Sequence, residues 1–225
     1  MQIRRLYNIS EEQLSAKQAN LYVGISINNK YFHDASILKD IISFWLEHTK
    51  DYFGILIVDS IQTYNNQALT WRNEDASLRK AKRDAEKVIE LCESVIADLP
   101  AGRKEKIALT KRDYICNETY KSNLNLVYEE YNTNTVFKDY TAAFVLDSLG
   151  DVAARVNAKW KELLCKYLLA EIPEVLMWYE YGWVEYSLSI YPFDSLRKLA
   201  EDLRNKFPLL CEKMNWKPCW IIEYK

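Results

Sequence analysis

The stretch LYVGISINNKYF, residues 21–32, decides how the chain reads. Leu21 to Ile25 is an apolar run of strand length. It delivers Ser26 to its end, then breaks into the polar residues Asn28, Asn29 and Lys30. A purely structural strand would continue its apolar pattern or close in a plain turn. In open α/β sheets the carboxyl ends of strands are where ligands bind, so Ser26 is either a loop residue or a nucleophile. Gly24 nearby would let backbone approach a ligand closely. The segment is not the G-x-S-x-G elbow of hydrolases, because Asn28 stands where the second glycine belongs. A hydrolytic triad also needs a histidine. The chain has only His33 and His48. The first lies seven residues past Ser26 and the second falls in a helical pattern, so neither is a suitable partner.

Outward from this stretch, apolar runs alternate with helical patterns. Phe53–Asp59 (FGILIVD) is a second run ending in a polar residue, Val184–Tyr191 (VEYSLSIY) alternates as a strand does, and Cys219–Tyr224 is a last strand. Lys106–Ile115 is a weaker strand candidate. Helical periodicity marks Ser36–His48, Asn73–Leu99 (stopped by Pro100), Cys116–Tyr131, Tyr140–Leu149, Asp151–Ile172 (closed by Pro173) and Asp194–Lys206. This alternation implies an α/β fold with a mostly parallel sheet flanked by helices. The 225 residues suit one domain, 1–225, because no linker or repeat divides them.

Composition narrows the function classes. A net charge of −2 means that any nucleic-acid binding must come from a local patch. The start, MQIRRLYNISEEQ, lacks the apolar core of a signal peptide, and no apolar run reaches the roughly 20 residues of a membrane span. Cys92, Cys116, Cys165, Cys211 and Cys219 are scattered and odd in number, which suits reduced thiols in the cytoplasm. Two histidines make a histidine-based zinc site a poor fit, so no metal is expected. The 16 Tyr and 7 Trp exceed ordinary use and suit cores and recognition surfaces alike.

Two further constellations could carry chemistry. On a helix, Val156, Trp160, Leu163, Leu164, Tyr167 and Glu171 share one face, which puts a carboxylate on an apolar stripe. A buried carboxylate is costly unless paired or hydrogen-bonded. Glu171 is therefore either a core glutamate satisfied by an internal Arg or Lys, or a receptor for a cationic substrate group, as a charge-assisted bond to an ammonium would allow. The segment WRNEDASLRKAKRDAEKVIELCESVI gathers Arg72, Arg79, Lys80, Lys82, Arg83 and Lys87 on one helix face. That face is either solvated surface or a cluster that holds nucleic-acid phosphates.

Together these features resemble the tRNA-dependent cyclodipeptide synthases. GISINNKYF is similar to that family's serine loop, YLLAEIP to its tyrosine-x-x-x-glutamate-x-proline helix, and SLSIYP to its second catalytic tyrosine segment. SLRKAKRDAEKV stands where the family has its tRNA-binding helix. Tyr191 is followed by Pro192, as in the tyrosine-proline branch, although Asn29 is a residue that branch usually lacks. The resemblance spans residues 21 to 192. It implies a Rossmann-like fold akin to the catalytic domains of class I tyrosyl- and tryptophanyl-tRNA synthetases. The chain has no H-x-G-H, and EKMNWK (Glu212–Lys217) is a poor lysine loop, so it is expected to take amino acids already esterified to tRNA and to need no cofactor.

The implied reaction joins two aminoacyl-tRNAs into a diketopiperazine by ping-pong acyl transfer. Ser26, Tyr167, Glu171 and Tyr191 are the implied catalytic residues, and Gly24, Asn29, Ile55 and Ile57 the substrate-binding ones. Arg72, Arg79, Lys80, Lys82, Arg83 and Lys87 would hold tRNA. The expected state is a cytoplasmic monomer that binds no membrane. The competing readings are a Rossmann-like tRNA- or nucleotide-binding module without acyl chemistry and, less well matched, a serine hydrolase.

Overall fold

The computed structural model describes residues 2–70, 72–112, 117–176, 179–192, 194–215 and 220–224. Eight strands are found among them: β1 (Ile3–Tyr7), β2 (Leu21–Ser26), β3 (Phe53–Val58), β4 (Ile107–Lys111), β5 (Tyr179–Tyr181), β6 (Val184–Tyr186), β7 (Leu188–Tyr191) and β8 (Trp220–Tyr224). Six of them form one sheet in the order β1-β8-β7-β2-β3-β4. β8, β7, β2, β3 and β4 run parallel, and β1 adds an antiparallel edge. The helices are α1 (Glu11–Ser15), α2 (Ala35–Leu46), α3 (Gln62–Thr70), α4 (Glu74–Ala97), α5 (Ala101–Lys104), α6 (Glu118–Thr133), α7 (Thr135–Leu149), α8 (Ala158–Leu176), α9 (Ser195–Lys206) and α10 (Pro208–Lys213). No described helix is long and apolar enough to cross a membrane.

The sheet buries its two faces differently. Leu21, Val23 and Ile25 of β2 and Phe53, Ile55 and Ile57 of β3 point one way, into a closed core with α2 and α4. Each such side chain, fully buried, contributes about 1.5–3 kcal/mol by leaving water. Helices α6 to α10 form a second core with Ile221 of β8. The alternate residues of β2 and β3 face that second layer and meet a cleft. Strand order reverses between β2 and β7, the switch point where open α/β sheets bind ligands. β2 stays paired with β3 as far as Ser26↔Val58, whereas its pairing with β7 covers Leu21↔Leu188 to Val23↔Ile190. Gly24 and Ser26 thus lie beyond the β7 ladder, where the crevice opens.

Several elements differ from the sequence expectation. The helix expected over 151–172 is broken. Residues Gly150–Arg155 form a 3₁₀ turn, and Asn157 restarts the chain as α8 by accepting the Trp160 N–H at 3.0 Å. Pro173 does not close α8, which runs on to Leu176. The strand expected over 184–191 divides at Ser187, whose N–H turns to the Asn20 carbonyl at 3.3 Å. Its first half pairs with β5 in a separate hairpin, and its second half enters the main sheet as β7. That hairpin turns at Gly182 (φ 58) and Trp183 (φ 67), the doubly left-handed pair that a tight hairpin requires. β1 and α3 were not expected. The strand expected over 106–115 covers Ile107–Lys111. Its last residues, the helix start at Cys116, the strand start at Cys219 and the end of EKMNWK lie outside the described residues. Cys92, Cys165 and Cys211 are free and buried.

Candidate active site

The cleft is lined on the sheet side by Gly24, Ser26, Leu56, Val58 and Tyr191, and on the helix side by Leu168, Glu171, Glu174, Val175, Leu196 and Leu199. It encloses ≈ 100 Å³. Ser26 arrives as the last residue of β2. Asn29 N–H closes the turn after it by donating to the Ser26 carbonyl at 3.0 Å. Tyr167 and Glu171 lie one turn apart on α8, and the Tyr167 hydroxyl donates to Glu171 Oε1 at 2.6 Å. Tyr191 ends β7 and rests against Phe32 of the loop after Ser26, with ring centroids 6.5 Å apart. The fold therefore brings Ser26, Tyr167, Glu171 and Tyr191 together from three elements.

Gln62, absent from the sequence expectation, joins them. It is the first residue of α3 and is 0% exposed. Its Nε2 donates to Ser26 Oγ at 3.0 Å and to Tyr167 Oη at 3.0 Å. Asn28 and Asn65 donate to its Oε1 at 2.9 and 3.0 Å. The signal that could have found it was the one used for Ser26. Gln62 follows the carboxyl end of the apolar run FGILIV, as Ser26 ends LYVGI.

Burial dominates the electrostatics. It pushes the Glu171 carboxyl up from 4.5 to about 7. The Tyr167 bond acts against that, nearby Glu174 adds to it, and Arg112 opposes it. Burial also raises the Tyr167 hydroxyl well above its ordinary value, with the Glu171 charge beside it adding to the effect. Tyr191 is raised for the same two reasons in the same order. The internal arginine that a purely structural Glu171 would need does exist, but Arg112 pairs with Glu174. It also donates to the Ala170 carbonyl at 2.6 Å, where the Tyr120 hydroxyl joins it at 2.8 Å. Arg112 is 2% exposed. It anchors the turn of α8 that carries Glu171 and leaves that carboxylate to the cleft. Neither Arg112 nor Glu174 was expected here.

Three expected substrate residues are corrected. Ile55 and Ile57 do not line the cleft. Both are 0% exposed in the core against α2 and α4, because strand side chains alternate and the cleft takes Leu56 and Val58 instead. Asn29 is not among the cleft residues. Its side chain caps the short 3₁₀ turn Lys30–His33 by accepting the Tyr31 N–H at 3.0 Å. Gly24 does line the cleft, and a Cβ built there meets nothing within 4 Å. His33 and His48 give ring N–H groups to the Ile27 and Phe44 carbonyls at 2.9 and 2.8 Å.

The basic face belongs to α4. Ala81, Ala85, Val88, Cys92 and Val95 bury its opposite side. Arg72, Arg79, Lys82, Arg83 and Lys87 are exposed. Lys80 is half-buried and pairs with Asp84, an acid that the sequence reading left out of this face. Asp84 also lies 3.8 Å from Arg83 and 4.0 Å from Lys87. Asn66 of α3 ties to the Ser77 carbonyl near the start of α4 at 3.3 Å, which links this helix to the one that Gln62 begins.

A family model described as cyclodipeptide synthase matches residues 9–215. The chain belongs to the cyclodipeptide synthase family. Its activity is accordingly that of an aminoacyltransferase that uses aminoacyl-tRNAs to make a cyclic dipeptide. Solved structures agree on the fold. A cyclodipeptide synthase from Fluoribacter dumoffii superposes with TM-score 0.70 at 16% identity, covering 98% of this chain and 97% of that one. One from Bacillus thermoamylovorans gives 0.71 at 19%, covering 96% and 91%. A Mycobacterium tuberculosis protein gives 0.68 at 17%, covering 88% and 87%, and its structure relates cyclodipeptide synthetases to type I tRNA synthetases. A sequence search of curated proteins returned no match. The binding-module and hydrolase readings are thereby set aside.

Proposed function

We propose that this synthase works through an ester on Ser26. One observation carries the reading: Ser26, Glu171 and Tyr191 face the same narrow cleft, and Tyr167 binds the carboxylate from behind. An aminoacyl-tRNA arrives with its acyl group already activated, so exchange onto Ser26 needs positioning and proton movement more than chemical force. The acceptor stem lies along the exposed cations of α4, chiefly Arg79, Lys82, Arg83 and Lys87, with Arg72 at its start. The α-ammonium of the first amino acid enters the cleft and pairs with Glu171. The apolar lining of Leu56, Val58, Leu168 and Val175 suits an apolar side chain. The amine of the amino acid held on Ser26 attacks the ester carbonyl of a second aminoacyl-tRNA, the ribose oxygen of that tRNA leaves with a proton, and a dipeptidyl-enzyme remains. The free amine of that dipeptide attacks its own ester carbonyl and releases the diketopiperazine, with Tyr191 orienting the proton. The reading treats residues 1–225 as one domain, acting as a monomer in the cytosol, where charged tRNA resides.

The test is expression of the chain and Ser26→Ala in a bacterial host, with mass spectrometry of the medium. A cyclic dipeptide made by wild type and missing from the mutant is expected. An equal yield from Ser26→Ala would overturn the ester route.

A further inference from the structure

The Gln62 amide is fully committed. A primary amide has two N–H donors and two acceptor sites on its oxygen, and here each has a partner. Asn28 and Asn65 donate to the oxygen; Ser26 and Tyr167 receive the two N–H bonds. Reversing the amide alone would set its NH₂ against two asparagine NH₂ groups and its oxygen against the Tyr167 oxygen, whose proton is given to Glu171. With Asn28, Asn65 and Tyr167 oriented as they are here, the amide's NH₂ faces Ser26 and Tyr167. Tyr167 gives its own proton to Glu171, so its oxygen is free to accept from Gln62. Ser26 Oγ also accepts, which turns the serine proton away from Gln62.

We propose that Gln62 is a catalytic residue of this synthase, its Nε2–H stabilising the negative charge that gathers on Ser26 Oγ as the ester forms and as it breaks. The inference rests on Ser26 being the nucleophile. In the first step the Oγ–carbonyl bond forms, the carbonyl–ribose oxygen bond breaks, and the serine proton ends on the ribose oxygen. In the last step the amine nitrogen–carbon bond forms, the Oγ–carbon bond breaks, and an amine proton returns to Oγ. A donor aimed at Oγ is useful in both, because Oγ is attacking atom in one and leaving atom in the other. Buried at 0% exposure, the donor acts where water does not compete. It also needs no histidine, which fits a chain whose two histidines are turned to backbone carbonyls.

The test uses full-length wild type, Ser26→Ala, Gln62→Met and Gln62→Glu, with bulk bacterial tRNA charged with a radiolabelled amino-acid mixture. Label held on the protein as an ester is followed in time, beside tRNA affinity and melting temperature. Wild type is expected to take up label that Ser26→Ala does not. Gln62→Met is expected to acylate on the order of 10²–10³-fold more slowly, with tRNA affinity unchanged. Gln62→Glu keeps the oxygen that Asn28 and Asn65 hold, so it separates anchoring from donation and guards against loss of fold in the methionine variant. A protonated carboxyl can still donate and an ionised one cannot, so its rate relative to wild type is expected to rise as pH falls. Ser26-dependent labelling of wild type with equal labelling of Gln62→Met would overturn the role of Gln62 alone. So would a Gln62→Glu ratio that is flat or rises with pH. Wild type without Ser26-dependent label would overturn the ester mechanism and this inference with it.

Discussion

The two faces of β2 and β3 are built from neighbouring residues of the same strands, yet one is sealed and the other open. Val23, Ile25, Ile55 and Ile57 disappear beneath α2 and α4. Gly24, Ser26, Leu56 and Val58 look into a cleft. Strand geometry alone makes the division, since successive side chains point to opposite faces. What differs is the partner layer. Against α2 and α4 the apolar residues interdigitate. Against α8 and α9 the layer carries Glu171 and Glu174, and it stands off at the switch point between β2 and β7. The closed face holds the molecule together and the open face is left for chemistry.

The sharpest break of this comparison is at Glu171. Glu171→Gln keeps the shape and an oxygen for Tyr167 but loses the charge that would meet an ammonium. Product formation is expected to fall by roughly 10²-fold or more, read by mass spectrometry of cyclic dipeptide. The same variant is expected to be more stable. Burial keeps the folded carboxyl protonated to about pH 7 against 4.5 for the free group. The folded state then binds a proton that the unfolded chain has released, so wild-type stability falls as pH rises through that window. Gln cannot ionise, so above the window the variant should exceed wild type by ~3 kcal/mol in denaturant titration, with the advantage gone near 4.5. A stability gap that does not change with pH would show that Glu171 is not held in this way.

Next is a matched pair across the sheet. Ile57→Ala on the closed face is expected to cost about 2–5 kcal/mol by leaving a cavity, with the identity of the product unchanged. Gly24→Ala on the open face adds a methyl where nothing stands within 4 Å. Stability should change by less than ~1 kcal/mol, while the range of amino acids incorporated narrows toward smaller ones. Reversed outcomes would mean that the two faces are misassigned.

The smallest effect on the fold is expected at the surface of α4. Arg79→Ala with Arg83→Ala should leave melting nearly unchanged. It should weaken tRNA use and lower the slope of log affinity against log salt by about 2, one for each lost phosphate contact. An unchanged slope at full activity would make this face solvated surface.

The same contrast explains what could be read from the sequence. β2 and β3 were legible as unbroken apolar runs of strand length, and α4 because its buried stripe has a helical period. Ser26 was legible because it ends such a run. The substrate residues Ile55 and Ile57 were placed on the wrong face because a strand buried on both faces shows no alternation. α3 escaped because its buried residues include Gln62, Thr63 and Asn66, so no apolar stripe marks it. Gln62 is buried in exchange for hydrogen bonds to the site and Asn66 for one to the Ser77 carbonyl, and a hydrogen-bond network has no period along the chain. Arg112 escaped for a similar reason. Its partners Glu174 and Ala170 are distant in sequence and reach it only in the fold.

The central claim is that Ser26, at the open end of β2, carries the amino acid between the two tRNAs. The most direct measurement is intact-protein mass spectrometry with peptide mapping after brief mixing with aminoacyl-tRNA and acid quench. The account predicts a mass increase of one aminoacyl group on the peptide that contains Ser26, absent from Ser26→Ala and discharged by a second aminoacyl-tRNA. Cyclic dipeptide made at full rate with no adduct on that peptide would contradict it.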